Sequence, residues 1–108
     1  MEKKISVRGA ATIGFVNASW PFANFKATKE RIDLNVIAVG RYSFSPEQIV
    51  KIEKTGLILM YVSGIKIYHC VPNYPERMIF GSIFGPQRLL NRLFYDIGFI
   101  PKGGGDNL

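Results

Sequence analysis

The sequence predicts a mainly β domain of about seven short antiparallel strands, closed by one C-terminal α-helix over about 86–97. Three observations predict it. Most of the chain alternates apolar and polar residues in short runs, the period-2 signature of half-buried strands. Gly, Pro, Asn and Ser punctuate those runs as turn formers. Near the end, Leu89, Leu90, Leu93, Phe94 and Ile97 recur instead at helical spacing and make one apolar stripe.

The elements follow in order. Ile5 to Val16 reads as a first strand region, with a bend or bulge at the small residues Gly9-Ala10-Ala11. Asn17-Ala18-Ser19-Trp20-Pro21 reads as a turn. A second strand runs from Phe22 to Thr28, with Ala23, Phe25 and Ala27 on one face and Asn24, Lys26 and Thr28 on the other. Thr28 to Arg31 is a polar hairpin connection, and Ile32 and Leu34 then alternate with polar neighbours. Val36-Ile37-Ala38-Val39 is an apolar continuation that ends at Gly40, and Arg41 to Phe44 is a further strand.

Ser45-Pro46-Glu47-Gln48 carries a helix-start signal, with Ser at the cap, Pro next and Gln three residues on. It is read as a turn before the strand Ile49 to Lys54. Leu57 to Val62 reads as a buried strand and Ser63-Gly64 as a tight turn. Ile65 to Cys70 alternates, Val71 to Pro75 is a loop, and Arg77 to Ser82 is the last strand. Pro86 suits the first helical position, where its missing N–H costs nothing. Gly98 suits a left-handed stop, after which Phe99 packs back on Phe94. Pro101 prevents continuation, and a flexible tail is expected over 100–108.

Composition bounds the class. A chain of 108 residues is expected to form one domain, here 1–99. With 47% hydrophobic residues it can bury a core without a metal or disulfide, and its single cysteine, Cys70, excludes an internal bridge. The longest apolar run, Leu57 to Val62, is far short of the ~20 residues a membrane span needs. With no apolar run behind Lys3-Lys4, a soluble, cytoplasmic protein is expected. The net charge of +6 comes from cations spread singly along the chain, interleaved with Glu30, Asp33, Glu53 and Glu76. Only the fold can gather them.

Several runs resemble a known family. Ser19-Trp20-Pro21-Phe22-Ala23-Asn24-Phe25-Lys26-Ala27-Thr28, Phe44-Ser45-Pro46-Glu47-Gln48-Ile49, Gly64-Ile65-Lys66-Ile67-Tyr68-His69 and Met78-Ile79-Phe80 are similar to small bacterial pleckstrin-homology-like (GRAM-like) domains. The resemblance covers about residues 4 to 99. It implies a barrel of about seven strands in two near-orthogonal sheets, plugged at one end by the helix. Phosphoinositide-binding members carry basic residues in the first two strands and the intervening loop. Arg8 and Lys26 hold such strand positions here, but the stretch from Asn17 to Phe22 has no Lys or Arg.

No residues form a catalytic constellation. His69 is the only histidine, and one His beside one Cys is not a ligand set. Gly103-Gly104-Gly105 has no following helix with which to cradle a phosphate. No catalytic residue, metal ligand, cofactor or nucleic-acid partner is expected. Trp20 either folds back over the barrel end or anchors a partner. The expected function is a non-enzymatic interaction domain, binding a protein partner or self-associating through strand edges or loops. The alternative is peripheral binding to an anionic membrane surface through a basic face. The candidate binding residues are Arg8, Trp20, Lys26 and Arg41.

Overall fold

The computed structural model describes residues 3–55 and 64–103. The strand expected over 57–62 lies outside them. Within them run seven strands: β1 (Ile5–Ile13), β2 (Val16–Thr28), β3 (Arg31–Val36), β4 (Gly40–Phe44), β5 (Ile49–Thr55), β6 (Gly64–His69) and β7 (Met78–Gly81). A short α-helix, α1 (Pro86–Asn91), follows and continues as a wider π turn over Arg92–Ile97.

All seven strands are antiparallel and form one curled half-barrel sheet in the order β4-β3-β2-β1-β7-β6-β5. Where two near-orthogonal sheets were expected, one continuous ladder is found. β1 is its pivot. Ile5 to Gly9 pair with Ala27 to Ala23 of β2, and Ala10 to Ile13 pair with Gly81 to Met78 of β7. The expected irregularity at Gly9-Ala10-Ala11 is there. Gly9 pairs with Ala23 but Ala11 pairs with Ala18, so Ser19, Trp20, Pro21 and Phe22 stand against Ala10 alone. Extra length of this kind leaves a ladder and bends its strand.

The turn expected over Asn17 to Pro21 is corrected. The chain reverses at Gly14-Phe15, where Gly14 takes a left-handed φ of 62° and donates to the Arg77 carbonyl at 2.8 Å. Asn17 is instead held in the ladder opposite Thr12, whose hydroxyl donates to Asn17 Oδ1 at 2.7 Å. The apolar continuation over Val36 to Val39 is corrected as well. Ile37 to Val39 turn the chain between β3 and β4, with Ala38 at φ 66° and Val39 N–H bonded to the Val36 carbonyl. Pro46–Gln48 forms a single 3₁₀ turn, and the Gln48 side chain accepts from Ser45 N–H at 2.9 Å.

The concave face holds the core. Phe25 stacks on Phe80 with centroids 5.2 Å apart, among Ile32, Leu34, Phe44, Ile65, Ile67 and Met78. The helix lies across this face, reaching β5 and β6 with α1 and β1 and β2 with the π turn. Its stripe is buried as the periodicity predicts: Leu89, Leu90, Leu93 and Ile97, with Phe94 packed at the margin. The last turns are wider than expected. Gly98 is left-handed at φ 83°, and the N–H groups of Gly98 and Phe99 both converge on the Leu93 carbonyl at 3.1 Å. Phe99 is buried. Beyond it, Lys102 N–H bonds to the Pro46 carbonyl and Gly103 N–H to the Ile49 carbonyl, each at 2.8 Å. The remainder of the expected tail lies outside the described residues.

Candidate functional site

Strand alternation puts Ser6 and Arg8 of β1, Asn24, Lys26 and Thr28 of β2 and the odd-numbered residues of β3 and β4 on the convex face. The register aligns them in rows. One row is Arg8, Asn24, Asn35, Arg41; the next is Ser6, Lys26, Asp33, Ser43. Three of the four candidate residues, Arg8, Lys26 and Arg41, thus share one face, although the sequence separates them widely. Arg8 and Arg41 end the same row. At a strand spacing of ~4.8 Å they stand roughly 14 Å apart. The backbone spacing spreads the charge across the face as a strip.

The strip is lightly compensated. Asp33 is its only carboxylate, and Asp33 already accepts from Arg31 Nε at 2.9 Å and from the Ser43 hydroxyl at 2.5 Å. Arg41 Nε donates to Asn35 Oδ1 at 3.1 Å. Asn24 Oδ1, in the middle of the row, is buried and has no hydrogen-bond partner.

An apolar row completes the face. Ile37 N–H bonds to the Phe22 carbonyl at 3.0 Å, which extends the β2–β3 pairing by one step past Val36. Phe22 and Ile37 therefore follow Asn24 and Asn35 on the convex side. They are 48% and 62% exposed, and Trp20, in the stretch that leaves the ladder, is 50% exposed. Trp20 is thus half covered and half open to solvent. Sequence reasoning chose Trp20 but missed Phe22 and Ile37. The signal was available, since both share the parity of their polar neighbours.

The sheet edges are partly taken. Ser43 N–H on β4 donates to the Tyr74 hydroxyl at 3.2 Å, and Gly103 occupies the start of β5. Tyr74 also meets Tyr42 and Phe44 edge-on, with centroids 5.1 and 5.3 Å apart, and so bridges β4 to the β6–β7 loop. His69 belongs to this bridge. Its Nδ1 accepts from Val71 N–H at 3.0 Å, and its Nε2 lies 2.8 Å from the Pro75 carbonyl. An acceptor role at Nδ1 and a carbonyl at Nε2 together fix the neutral Nε2–H tautomer. Both ring nitrogens hold backbone, so the ring is a structural clamp. His69→Ala strands a half-buried N–H and C=O, and urea unfolding should show a loss of about 2 kcal/mol.

Among the described residues, no three His, Cys, Asp or Glu side chains group to hold a metal ion, and no helix is long and apolar enough to cross a membrane. The chain matches no family model, and no curated protein or solved structure is significantly similar to it.

Proposed function

We propose that this is a non-enzymatic interaction domain whose binding surface is the convex face of β1 to β4. One observation carries the reading. An exposed apolar row of Phe22 and Ile37 borders a row that begins and ends in arginine, and Trp20, two residues before Phe22, is half exposed. Exposed large apolar side chains gathered in one patch and rimmed by polar groups are the usual mark of a docking site. The rim is cationic, so the complementary partner presents an apolar contact flanked by carboxylates. A second copy docking through the same face would set arginine strips near one another, which opposes self-association there. The occupied positions at Ser43 and Ile49 weigh against strand addition at those points.

The pleckstrin-homology-like fold is part of this reading. Two meanders, β1 to β4 and β5 to β7, joined where β1 pairs with β7, a β2 that bulges away from β1, and one C-terminal helix over the core support it. The test is charge reversal. Arg8 and Arg41 are exposed, so Arg8→Glu/Arg41→Glu should melt within a few degrees of wild type. Crosslinked in an extract of the source cells, wild type should yield a specific adduct that the double variant loses. An adduct unchanged by the reversal contradicts the reading.

The same face supports a second reading, docking on an anionic bilayer. Half-exposed Trp20 and Phe22 of β2, with the exposed cations Arg8, Lys26, Arg31 and Arg41, suit the headgroup region, where aromatic and cationic side chains sit together. It predicts sedimentation with vesicles containing phosphatidylserine, none with phosphatidylcholine alone, and release as salt rises. Vesicle binding that ignores salt or phosphatidylserine content contradicts it.

A further inference from the structure

The closing helix leaves one flank of the core open. A cavity of about 160 Å³ lies between Val7 of β1 and the helix, lined also by Ser82, Phe84, Arg88, Leu89 and Arg92. Its floor is apolar: Val7 and Leu89 are buried. Ser82 is buried too, and its hydroxyl oxygen accepts from Phe84 N–H at 3.3 Å, which leaves the hydroxyl proton free to donate.

The mouth is cationic. Arg88 and Arg92 are one helical turn apart, both exposed, and Arg88 lies over the Phe84 ring at 5.5 Å. Among the described residues, no carboxylate lines the cavity. The ion pairs found among the described residues, Arg31–Asp33 and Lys51–Glu53, involve neither arginine. Beyond Phe84 a shallower hollow adds Lys54 and again no carboxylate. The helix widens from α to π at Arg92 itself, and such widening recurs at functional sites.

Size and charge together define the ligand. A dry cavity of ~150 Å³ accommodates benzene. Two guanidinium groups beside it, in no ion pair among the described residues, suit a carboxylate, which they bind with charge-assisted hydrogen bonds. We propose that this cavity binds a small amphipathic monocarboxylate. A six-carbon ring or chain fills the space over Val7 and Leu89, and the carboxylate meets Arg88 and Arg92. This site is separate from the convex face and does not depend on it.

The test is an amide NMR titration of the full chain with sodium hexanoate at constant ionic strength. The expected result is saturable shifts at Val7, Ser82 and Leu89, with a dissociation constant of about 1 mM or below. Hexan-1-ol should bind at least about tenfold more weakly, because it lacks the charge-assisted bonds. Arg88→Gln/Arg92→Gln changes only exposed side chains, so it should keep its melting temperature and lose about tenfold or more in affinity for hexanoate. Shifts that never saturate, that map to the Arg8–Arg41 face, that hexan-1-ol reproduces at equal affinity, or that the double variant retains in full would overturn the proposal.

Discussion

Gly9→Ala lowers the stability of this domain by about 3 kcal/mol, a large effect for the smallest side chain that can be added. Gly9 sits where β1 leaves its first register with β2 and begins to pair with β7. A Cβ at Gly9 would fall on the Gly81 carbonyl oxygen and within 2.8 Å of Phe80 Cζ. The first obstacle is backbone in the adjoining strand, so no rotamer change relieves it. The second is one ring of the Phe25–Phe80 stack at the centre of the core. For a domain of this size a loss of 3 kcal/mol lowers the melting temperature by about 12–20 °C. Thermal denaturation followed by circular dichroism measures it directly. An unchanged melt would mean that β1 and β7 are not in close contact at the pivot.

Leu93→Ala is the second large effect. Leu93 is 0% exposed, and its carbonyl collects the two N–H groups that end the helix. Truncating a fully buried leucine removes its transfer energy and leaves a cavity, together about 3–4 kcal/mol. Tyr95 is two residues on and 82% exposed, so Tyr95→Ala should change stability by no more than about 0.5 kcal/mol. Urea unfolding of the pair separates a helix that plugs the sheet from one that merely decorates it. Similar losses at both positions would contradict the plug.

The alternation of β2 and β3 was legible because one face of each meets the core and the other meets solvent. The stripe on the closing helix was legible for the same reason. The π widening was not, because Leu93, Phe94 and Ile97 fall on the buried side in either geometry. The turn between β1 and β2 was misplaced because Asn, Ser and Pro between 17 and 21 outweighed the lone Gly14. Their turn chemistry is spent instead on a stretch that leaves the ladder within a strand. Ile37 and Val39 read as strand because they are β-branched, yet Ala38 at φ 66° turns the chain there.

The site was legible residue by residue but not as a surface. Arg8, Lys26 and Arg41 were named from their strands, and only the register shows that Arg8 and Arg41 end one row. The fold turns thinly spread charge into a strip by stacking four strands of matched parity. The same stacking brings Phe22 and Ile37 to its border. A surface that is both sticky and cationic is the physical basis of the proposed function.

Site-specific photocrosslinking in living cells tests that claim most directly. A photoreactive phenylalanine at position 37 places the probe in the apolar row, and one at position 95 places it on the exposed side of the helix. Both side chains are well exposed, so both variants should fold. The account predicts a discrete covalent adduct from position 37 that disappears when Arg8→Glu/Arg41→Glu is added, and no such adduct from position 95. Adducts from position 95 with none from position 37 would show that the convex face is not the binding surface.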